Sequence, residues 1–324
     1  MYNSDMKTVA VLRGGPSQEY GVSMKTGQAV LDALGKKNYK TKDIVVAKNG
    51  DWLNNGFVKQ CDSMLEGVDA VFVGLHGQYG EDGNVQKILQ RLNIPFTGSR
   101  SMSSAIAFNK ELTKRTLGSS ELRMPRHRKF QRYELVDLEE QIPVIFSDIG
   151  SEVFVKPVAC GSSYGARYVP NEETLRSTLN QILEVYDQVL IEEYIRGREA
   201  TVGVMSNFRN ESLYALPVIE IIPPNGRPDF NTEDKYSGEA EGIVPGRFSY
   251  SEKAKLAEAA LLAHKTLACD HYSRSDFIVK DGEVYFLEIN TLPGLTAQSL
   301  FPKAASAVGL EFADLVAHLA ETAR

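Results

Sequence analysis

Cysteine is scarce in this chain of 324 residues: Cys61, Cys160 and Cys269 are the whole supply. An odd, widely spaced set with no C-x-x-C excludes a disulfide framework and a cysteine-built zinc site, and it fits a reducing cytoplasm. Long apolar runs are missing as well. No stretch approaches the roughly 20 residues that span a bilayer. The run Val9–Leu12 is too short for the core of a secretory leader, so neither a membrane partner nor export is expected. There is no block of Lys and Arg either. The net charge is −6 and the pI about 5.6, which argues against nucleic acid or an anionic membrane surface as partner. A small anion needs only a few local cations and stays possible. What is present is 43% hydrophobic and 24% charged residues, the composition of a folded protein, in a length that suits two or three domains.

The first third alternates strand and helix. Strands are predicted at Thr8–Leu12, Asp43–Ala47 and Ala70–Leu75, and helices at Val22–Leu34 and Val85–Leu92. This rhythm implies a parallel sheet with helices on its faces, and ligands on such sheets sit beyond the carboxyl ends of the strands. The loops Gly14–Gly21 and His76–Gly83 are therefore candidate site walls. A break falls near Gly98-Ser99. Beyond it, helices Lys110–Leu117 and Glu172–Val185 and strands Val153–Val158, Ala166–Val169 and Val189–Tyr194 form an α+β unit. The last third holds strands Ala200–Met205 and Ser212–Ile222, then a long loop, Pro223–Pro245, of the kind that commonly acts as a lid. A helix at Ser251–Ala268 with Ser251 as N-cap, a hairpin Ser275–Val279/Glu283–Ile289, and a terminal helix Glu311–Ala323 complete the chain.

Five groups of residues carry chemistry. The hairpin bears Asp276, Glu288 and Asn290, hard oxygen ligands suited to magnesium. Glu288 and Asn290 share a face because they are two apart on a strand. Asp276 joins them only if the register permits. A two-residue turn at Asp281-Gly282 pairs Lys280 with Glu283 and sends Asp276 to the other face, opposite Leu287. A three-residue turn, Lys280-Asp281-Gly282, sets Asp276 opposite Phe286 and Arg274 opposite Glu288, with all four polar groups on one side. The three-residue form with Gly282 left-handed is the expectation. A solvated, ordinarily charged strand face is the bland alternative. The second group, Lys156-Pro157 before Gly161-Ser162-Ser163-Tyr164-Gly165, offers an ammonium and backbone N–H groups to phosphates, although it is no Walker A loop. Third, the apolar strand ending in Glu192-Glu193, with Gly197 and Glu199 beyond, suits an adenine amino group and a ribose. Fourth, Gly14-Gly15-Pro16-Ser17-Gln18-Glu19 is a glycine turn whose Glu19 suits an ammonium. The fifth is His76, which by itself is more often structural than catalytic.

The order of these groups is more specific than any one of them. Val11-Leu12-Arg13-Gly14-Gly15 with Ser17-Gln18-Glu19 comes first, then Leu75-His76-Gly77 with Gly80-Glu81-Asp82-Gly83, and Asn109-Lys110. Lys156-Pro157 with Gly161-Ser162-Ser163, Glu192 with Gly197-Arg198-Glu199, and Lys235-Tyr236 follow. The last is Glu288-Ile289-Asn290-Thr291-Leu292-Pro293-Gly294-Leu295-Thr296 running into Ser299-Leu300-Phe301-Pro302. In these stretches, from about Val9 to Leu319, the chain resembles the D-alanine–D-alanine ligases of the ATP-grasp superfamily.

The resemblance implies an ATP-grasp fold of α/β and α+β units: an N-terminal α/β domain (1–98), a central subdomain (99–191) and a C-terminal subdomain with the metal site and lid (192–324). It implies an ADP-forming ligase that joins two D-alanines through an acyl phosphate for peptidoglycan precursors, with ATP and two Mg2+ ions (Mn2+ as substitute), in a cytoplasmic homodimer. It also implies roles. Lys110 and Lys156 hold ATP phosphates, and Lys235 reaches the γ-phosphate. Glu192 and the backbone near Tyr194 and Ile195 take the adenine, and Glu199 the ribose. Asp276, Glu288 and Asn290 ligate the metals. Glu19 binds the first D-alanine's ammonium beside His76. Arg274 and the Gly294 N–H form the oxyanion site, Ser299 and Leu300 meet the second substrate, and Ser162 and Tyr236 link the lid to Glu19. Three positions depart from the family pattern: Gly21 where an acid is usual, Cys160 where a polar residue is usual, and the lid segment Phe230–Tyr236. The altered lid motivates D-serine or D-lactate as an alternative second substrate, and a catalytically silent nucleotide-binding regulator is the alternative of another class.

Overall fold

The computed structural model describes residues 6–135, 137–161, 165–223 and 241–324, which form three sheets. The first sheet is built from β1 (Thr8–Gly14), β2 (Lys40–Val46), β3 (Trp52–Asn54), β4 (Phe57–Val58) and β5 (Ala70–Val73), in the order β4-β3-β2-β1-β5. Three of these strands, β2, β1 and β5, are parallel as expected, and the β3–β4 hairpin extends the sheet antiparallel. The runs Val9–Leu12 and Ala70–Val73 are buried at every position, as befits strands covered on both faces. The helices here are α1 (Tyr20–Lys36), the short α2 (Cys61–Met64) and α3 (Asn84–Arg91).

Two helices, α4 (Ser101–Phe108) and α5 (Lys110–Leu117), lead out of this unit. The Asn109 side chain caps α5 by accepting from Leu112 N at 3.0 Å. The second sheet follows, with β6 (His127–Gln131), α6 (Leu138–Ile149), β7 (Val153–Pro157), β8 (Arg167–Val169), α7 (Glu172–Val185) and β9 (Gln188–Glu193). Its order is β6-β9-β7-β8, all antiparallel, over a core of its own made from Ile142, Ile145, Val155, Leu175, Leu179 and Ile191 among others. β9 is thus an interior strand, and Glu192 enters the site from inside a sheet.

The third sheet comprises β10 (Arg198–Phe208), β11 (Glu211–Ala215), β12 (Ile219–Ile222), β13 (Glu241–Ile243), β14 (Tyr272–Lys280) and β15 (Glu283–Asn290) in the order β13-β12-β10-β14-β15, with β11 also on β10. The strand expected at Ser212–Ile222 is two strands, broken around Pro217, which has no N–H to give a ladder. Behind the sheet lies α8 (Tyr250–Thr266). Its N-cap is Ser249 and not Ser251: the Ser249 hydroxyl accepts from Glu252 N at 3.2 Å and Glu252 returns a bond to Ser249 N at 2.7 Å. The Ser-x-x-Glu capping box is the signal that outweighs Ser251. The chain ends in α9 (Leu300–Ser306) and α10 (Phe312–Glu321). These two helices share one apolar core with β1 and β5, which also takes in Met205, Ile219 and Tyr272. Among the described residues no helix is long and apolar enough to cross a membrane.

The β14–β15 hairpin corrects the expected turn. Lys280 pairs with Glu283, so the turn is the two-residue Asp281-Gly282 form, with both residues left-handed (φ 52° and 77°) as a type I′ turn requires. Three pairs follow in register down to Phe277 with Phe286; then the ladder shifts, and Asp276 stands opposite Glu288, with Leu287 as the extra residue. This bulge moves Glu288 across to the face of Asp276. Arg274 therefore faces Asn290, where Glu288 was expected. Asp276 and Glu288 stand opposite each other despite the two-residue turn, because the bulge restores what the turn alone would have lost.

Candidate active site

A cavity of about 490 Å³ opens between the second and third sheets. It is lined by Lys110, Lys156, Glu192, Tyr194, Ile195 and Glu199 from the expected nucleotide set, together with Asp276 and Glu288. Ile278 and Leu287 supply apolar wall. The bulge accounts for this: Phe277 and Phe286 pack edge to face in the core with centroids 5.8 Å apart, while Leu287 and Glu288 both turn to the cavity.

The charges in the cavity hold one another. Lys156 Nζ lies 2.5 Å from one oxygen of Glu192, and Lys114 Nζ lies 2.7 Å from the other. Burial would raise the Glu192 carboxyl, but the Lys114 and Lys156 ammonium groups more than offset it and hold it at about 2. Lys110 Nζ lies 3.3 Å from Glu288 and donates to the Cys160 carbonyl at 2.9 Å. Burial works against its charge, yet Glu288 leads the neighbours that keep it above the ordinary lysine value. Arg274 grips Asp276 with two bonds of 3.0 Å, and Thr201, its ladder neighbour on β10, donates to the same carboxylate at 2.6 Å.

Among the described residues no three His, Cys, Asp or Glu side chains converge on one point. Two carboxylates facing each other across a ladder, with the Asn290 amide beside them, nevertheless fit magnesium. The ion takes one or two carboxylates and fills its other positions with phosphate oxygens and water. Asn290 Oδ1 already accepts from Leu292 N at 2.9 Å, which fixes the amide's orientation.

The second half of the site is built on the first sheet. Gly14 and Gly15 adopt φ of 90° and 102° at the end of β1, and a Cβ at Gly14 would meet the Val46 carbonyl at 2.4 Å. That turn delivers Glu19 to the start of α1. Ser17 ties this loop to the next, accepting from Glu19 N at 3.1 Å and donating to the His76 carbonyl at 2.7 Å. His76 Nε2 bonds Thr26 Oγ1 at 2.8 Å, and its Nδ1 lies 3.7 Å from Glu81. Burial pulls the imidazole down, but Glu81, Glu19 and the Leu292 backbone raise it on balance. Glu19 sits between two glycines: a Cβ at Gly77 or Gly161 would come within 2.6 or 2.5 Å of its Oε2. The Cys160-Gly161 loop thereby links the two halves, with Cys160 on the cavity wall and Gly161 against Glu19.

The segment after β15 approaches this second half, where the Leu292 backbone bonds His76. Ser299 Oγ lies 3.1 Å from where a Gly294 Cβ would be, and it accepts from Thr296 N at 3.1 Å. Leu300 reaches β13, where a Cβ at Gly242 would meet it at 2.6 Å. Ser162, Lys235 and Tyr236 lie outside the described residues, as does residues 224–240 of the expected lid. Two participants escaped sequence reasoning. Lys114 had a readable signal, since it stands four residues after Lys110 on one helix face. Thr201 had none, because its role depends on the register between β10 and β14.

Comparisons with known proteins span nearly the whole chain. The family model "D-ala D-ala ligase C-terminus" matches residues 118–321 and "D-ala D-ala ligase N-terminus" matches residues 55–99. A D-alanine–D-alanine ligase from Syntrophobacter fumaroxidans is 37% identical over 99% of both chains. Among solved structures, the VanG D-Ala:D-Ser ligase from Enterococcus faecalis superposes with a TM-score of 0.84 at 28% identity, over 97% of this chain and 98% of that one. The ATP complex of the D-alanine–D-alanine ligase from Bacillus anthracis gives 0.78 at 30%, over 98% and 97%. With the fold, the cavity and the full length of the chain in agreement, this protein belongs to the D-alanine–D-alanine ligase family of ATP-grasp enzymes.

Proposed function

We propose that the protein joins two D-alanines into D-alanyl-D-alanine at the expense of ATP, for peptidoglycan precursor synthesis, with Asp276, Glu288 and Asn290 holding two Mg2+ ions. The observation that carries this is a cavity of lysines and carboxylates joined to Glu19 by the Cys160-Gly161 loop. Arg274 adjoins that cavity through its two bonds to Asp276, and in this reading the Gly294–Ser299 segment completes the site.

The chemistry follows from the residue types. A carboxylate is a poor acyl donor, so an oxygen of the first D-alanine attacks the γ-phosphorus and ADP leaves, giving an acyl phosphate. Lys110 and Lys156 hold the phosphates during transfer, and Lys235 reaches the γ-phosphate. Bound magnesium supplies charge neutralisation for the transferring group. Glu192 accepts from the adenine amino group, the Tyr194–Ile195 backbone lies along the ring, and Glu199 takes the ribose. Glu19, with His76 beside it, orients the first D-alanine through its ammonium. The amine of the second D-alanine, its carboxylate held by Ser299 next to Leu300, attacks the acyl carbon and phosphate departs. Arg274 and the Gly294 N–H receive the developing oxyanion, where one donor is worth about 3–4 kcal/mol. Ser162 and Tyr236 join the lid to Glu19, so that water is kept from the acyl phosphate.

Of the three units 1–98, 99–191 and 192–324, the last two clasp the nucleotide. A cytoplasmic site and a homodimer accompany this reading by likeness to the family. The test is phosphate release with ATP, Mg2+ and D-alanine, D-serine or D-lactate as acceptors, with mass detection of product. D-alanine is expected to be the preferred acceptor. Absence of D-alanine-dependent turnover would sink the proposal, and faster turnover with D-serine would move the protein to the other specificity.

A further inference from the structure

We propose that Lys114 is a positioning residue, the fixed counter-ion that allows Glu192 to surrender Lys156 to the phosphates of ATP. The inference rests on the reading of Lys156 as a phosphate ligand. It starts from the pairing of charges in the cavity. Two lysines that line the cavity are held on carboxylates, Lys110 at 3.3 Å from Glu288 and Lys156 at 2.5 Å from Glu192, and Arg274 holds the cavity's Asp276 at 3.0 Å. When a metal-bound triphosphate enters, these pairs exchange partners. Asp276 and Glu288 would hold magnesium in place of the cations that they release or share. Glu192 receives no metal. Its new partner is the adenine amino group, which is neutral.

A carboxylate buried as deeply as Glu192, with its side chain 3% exposed, would resist giving up Lys156 if no second cation stayed behind, because an unpaired buried charge is strongly disfavoured. Lys114 removes that obstacle. Its side chain is completely enclosed, 0% exposed, and its ammonium lies 2.7 Å from the Glu192 oxygen that Lys156 does not hold. It has no route to the phosphates. Lys156 is the more accessible of the two, at 8%, and it lines the cavity, which Lys114 does not. One lysine is therefore free to exchange and the other stays. Helix α5 arranges this: Lys110 in its first turn faces the cavity, and Lys114 one turn later points beneath it.

The consequence is specific to phosphate. Without Lys114, Lys156 remains committed to Glu192, so nucleotides that need Lys156 bind poorly while adenosine, which does not, is little affected. The experiment measures ATP and adenosine affinity by calorimetry or competition, in the presence of Mg2+, for K114M, K156M, E192Q and K114M/E192Q. For K114M we expect ATP affinity to fall about 10- to 100-fold and adenosine affinity to change less than about threefold. In the E192Q background, where no buried charge needs compensation, removing Lys114 should cost ATP less than about threefold. ATP affinity within threefold of wild type in folded K114M, an equal loss for ATP and adenosine, or the same loss with and without Glu192 each overturns the proposal. K156M separates the underlying reading: unchanged ATP affinity there means that Lys156 is no phosphate ligand, whatever K114M does. If K114M fails to fold, Lys114→Arg carries the test. It keeps the charge and should keep ATP affinity within about threefold, and a loss matching that of K156M counts against the proposal.

Discussion

The nucleotide half of the site and its amino-acid half are organised on different principles. Around the cavity, charged groups hold charged groups: Lys156 and Lys114 on Glu192, Lys110 on Glu288, Arg274 on Asp276. Around Glu19 and His76, the described partners are hydroxyls, backbone and the bare faces of glycines (Ser17, Thr26, Gly77 and Gly161), with the Glu81 carboxylate 3.7 Å from His76. The first arrangement is one of exchangeable partners, suited to a ligand that brings both negative phosphate and positive metal. The second is a fixed shape, suited to a small zwitterion that must be aimed within a fraction of an ångström. Substitutions in the two halves should therefore fail in different ways.

On the proposed reading Arg274 serves both halves, and Arg274→Met should show the largest effect: kcat about 10³-fold lower, with the half-saturating Mg2+ concentration altered as well, because Asp276 loses a partner. A change in kcat with no change in metal dependence would confine Arg274 to the oxyanion. Gly161→Ala should come next. Its Cβ would lie 2.5 Å from Glu19 Oε2, so kcat/KM for D-alanine should fall about 10²-fold while KM for ATP moves less than about threefold. Equal damage to both substrates would erase the contrast between the halves. Thr201→Val removes the 2.6 Å bond to Asp276 and should raise the half-saturating Mg2+ concentration about 5- to 10-fold, with Thr201→Ser restoring it.

The halves should also diverge with pH. Glu192 is held at about 2, below its ordinary 4.5. Its stabilising contribution is therefore complete above pH 4.5 and is lost as pH falls from there toward 2. His76 is raised above 6.5, against the effect of burial, by Glu81 and Glu19. Its contribution is complete below 6.5 and is lost as pH rises through the raised value. D-alanine affinity should thus weaken on the alkaline side and ATP affinity persist on the acid side, with His76→Gln abolishing the alkaline change. Parallel pH profiles for the two ligands would contradict the division.

Much of this was legible in the chain before its fold was known. The helices Lys110–Leu117 and Glu172–Val185 have the boundaries that their patterns predict, because Asn109 and Asn171 cap them. The order of glycine turns, lysines and acids named the family. The hairpin shows where reading stops. Asp281-Gly282 is a strong type I′ signal, yet the need to align Asp276 with Glu288 favoured a longer turn. The resolution was a bulge at Leu287, which depends on Phe277 and Phe286 both seeking the core while Glu288 seeks the cavity. Pro143 concealed α6, whose Ile142, Ile145 and Ile149 are nonetheless buried; tertiary packing overrode the local penalty. Lys114 was visible as a residue, but a buried lysine and an exposed one look alike until the strand carrying Glu192 is set beneath α5.

The most direct test of the account uses D-alanine labelled with 18O in its carboxylate, incubated with the protein, ATP and Mg2+. Attack of that carboxylate on the γ-phosphate predicts one 18O in each phosphate released, matched by one D-alanyl-D-alanine. Unlabelled phosphate, or labelled phosphate without dipeptide, would contradict it.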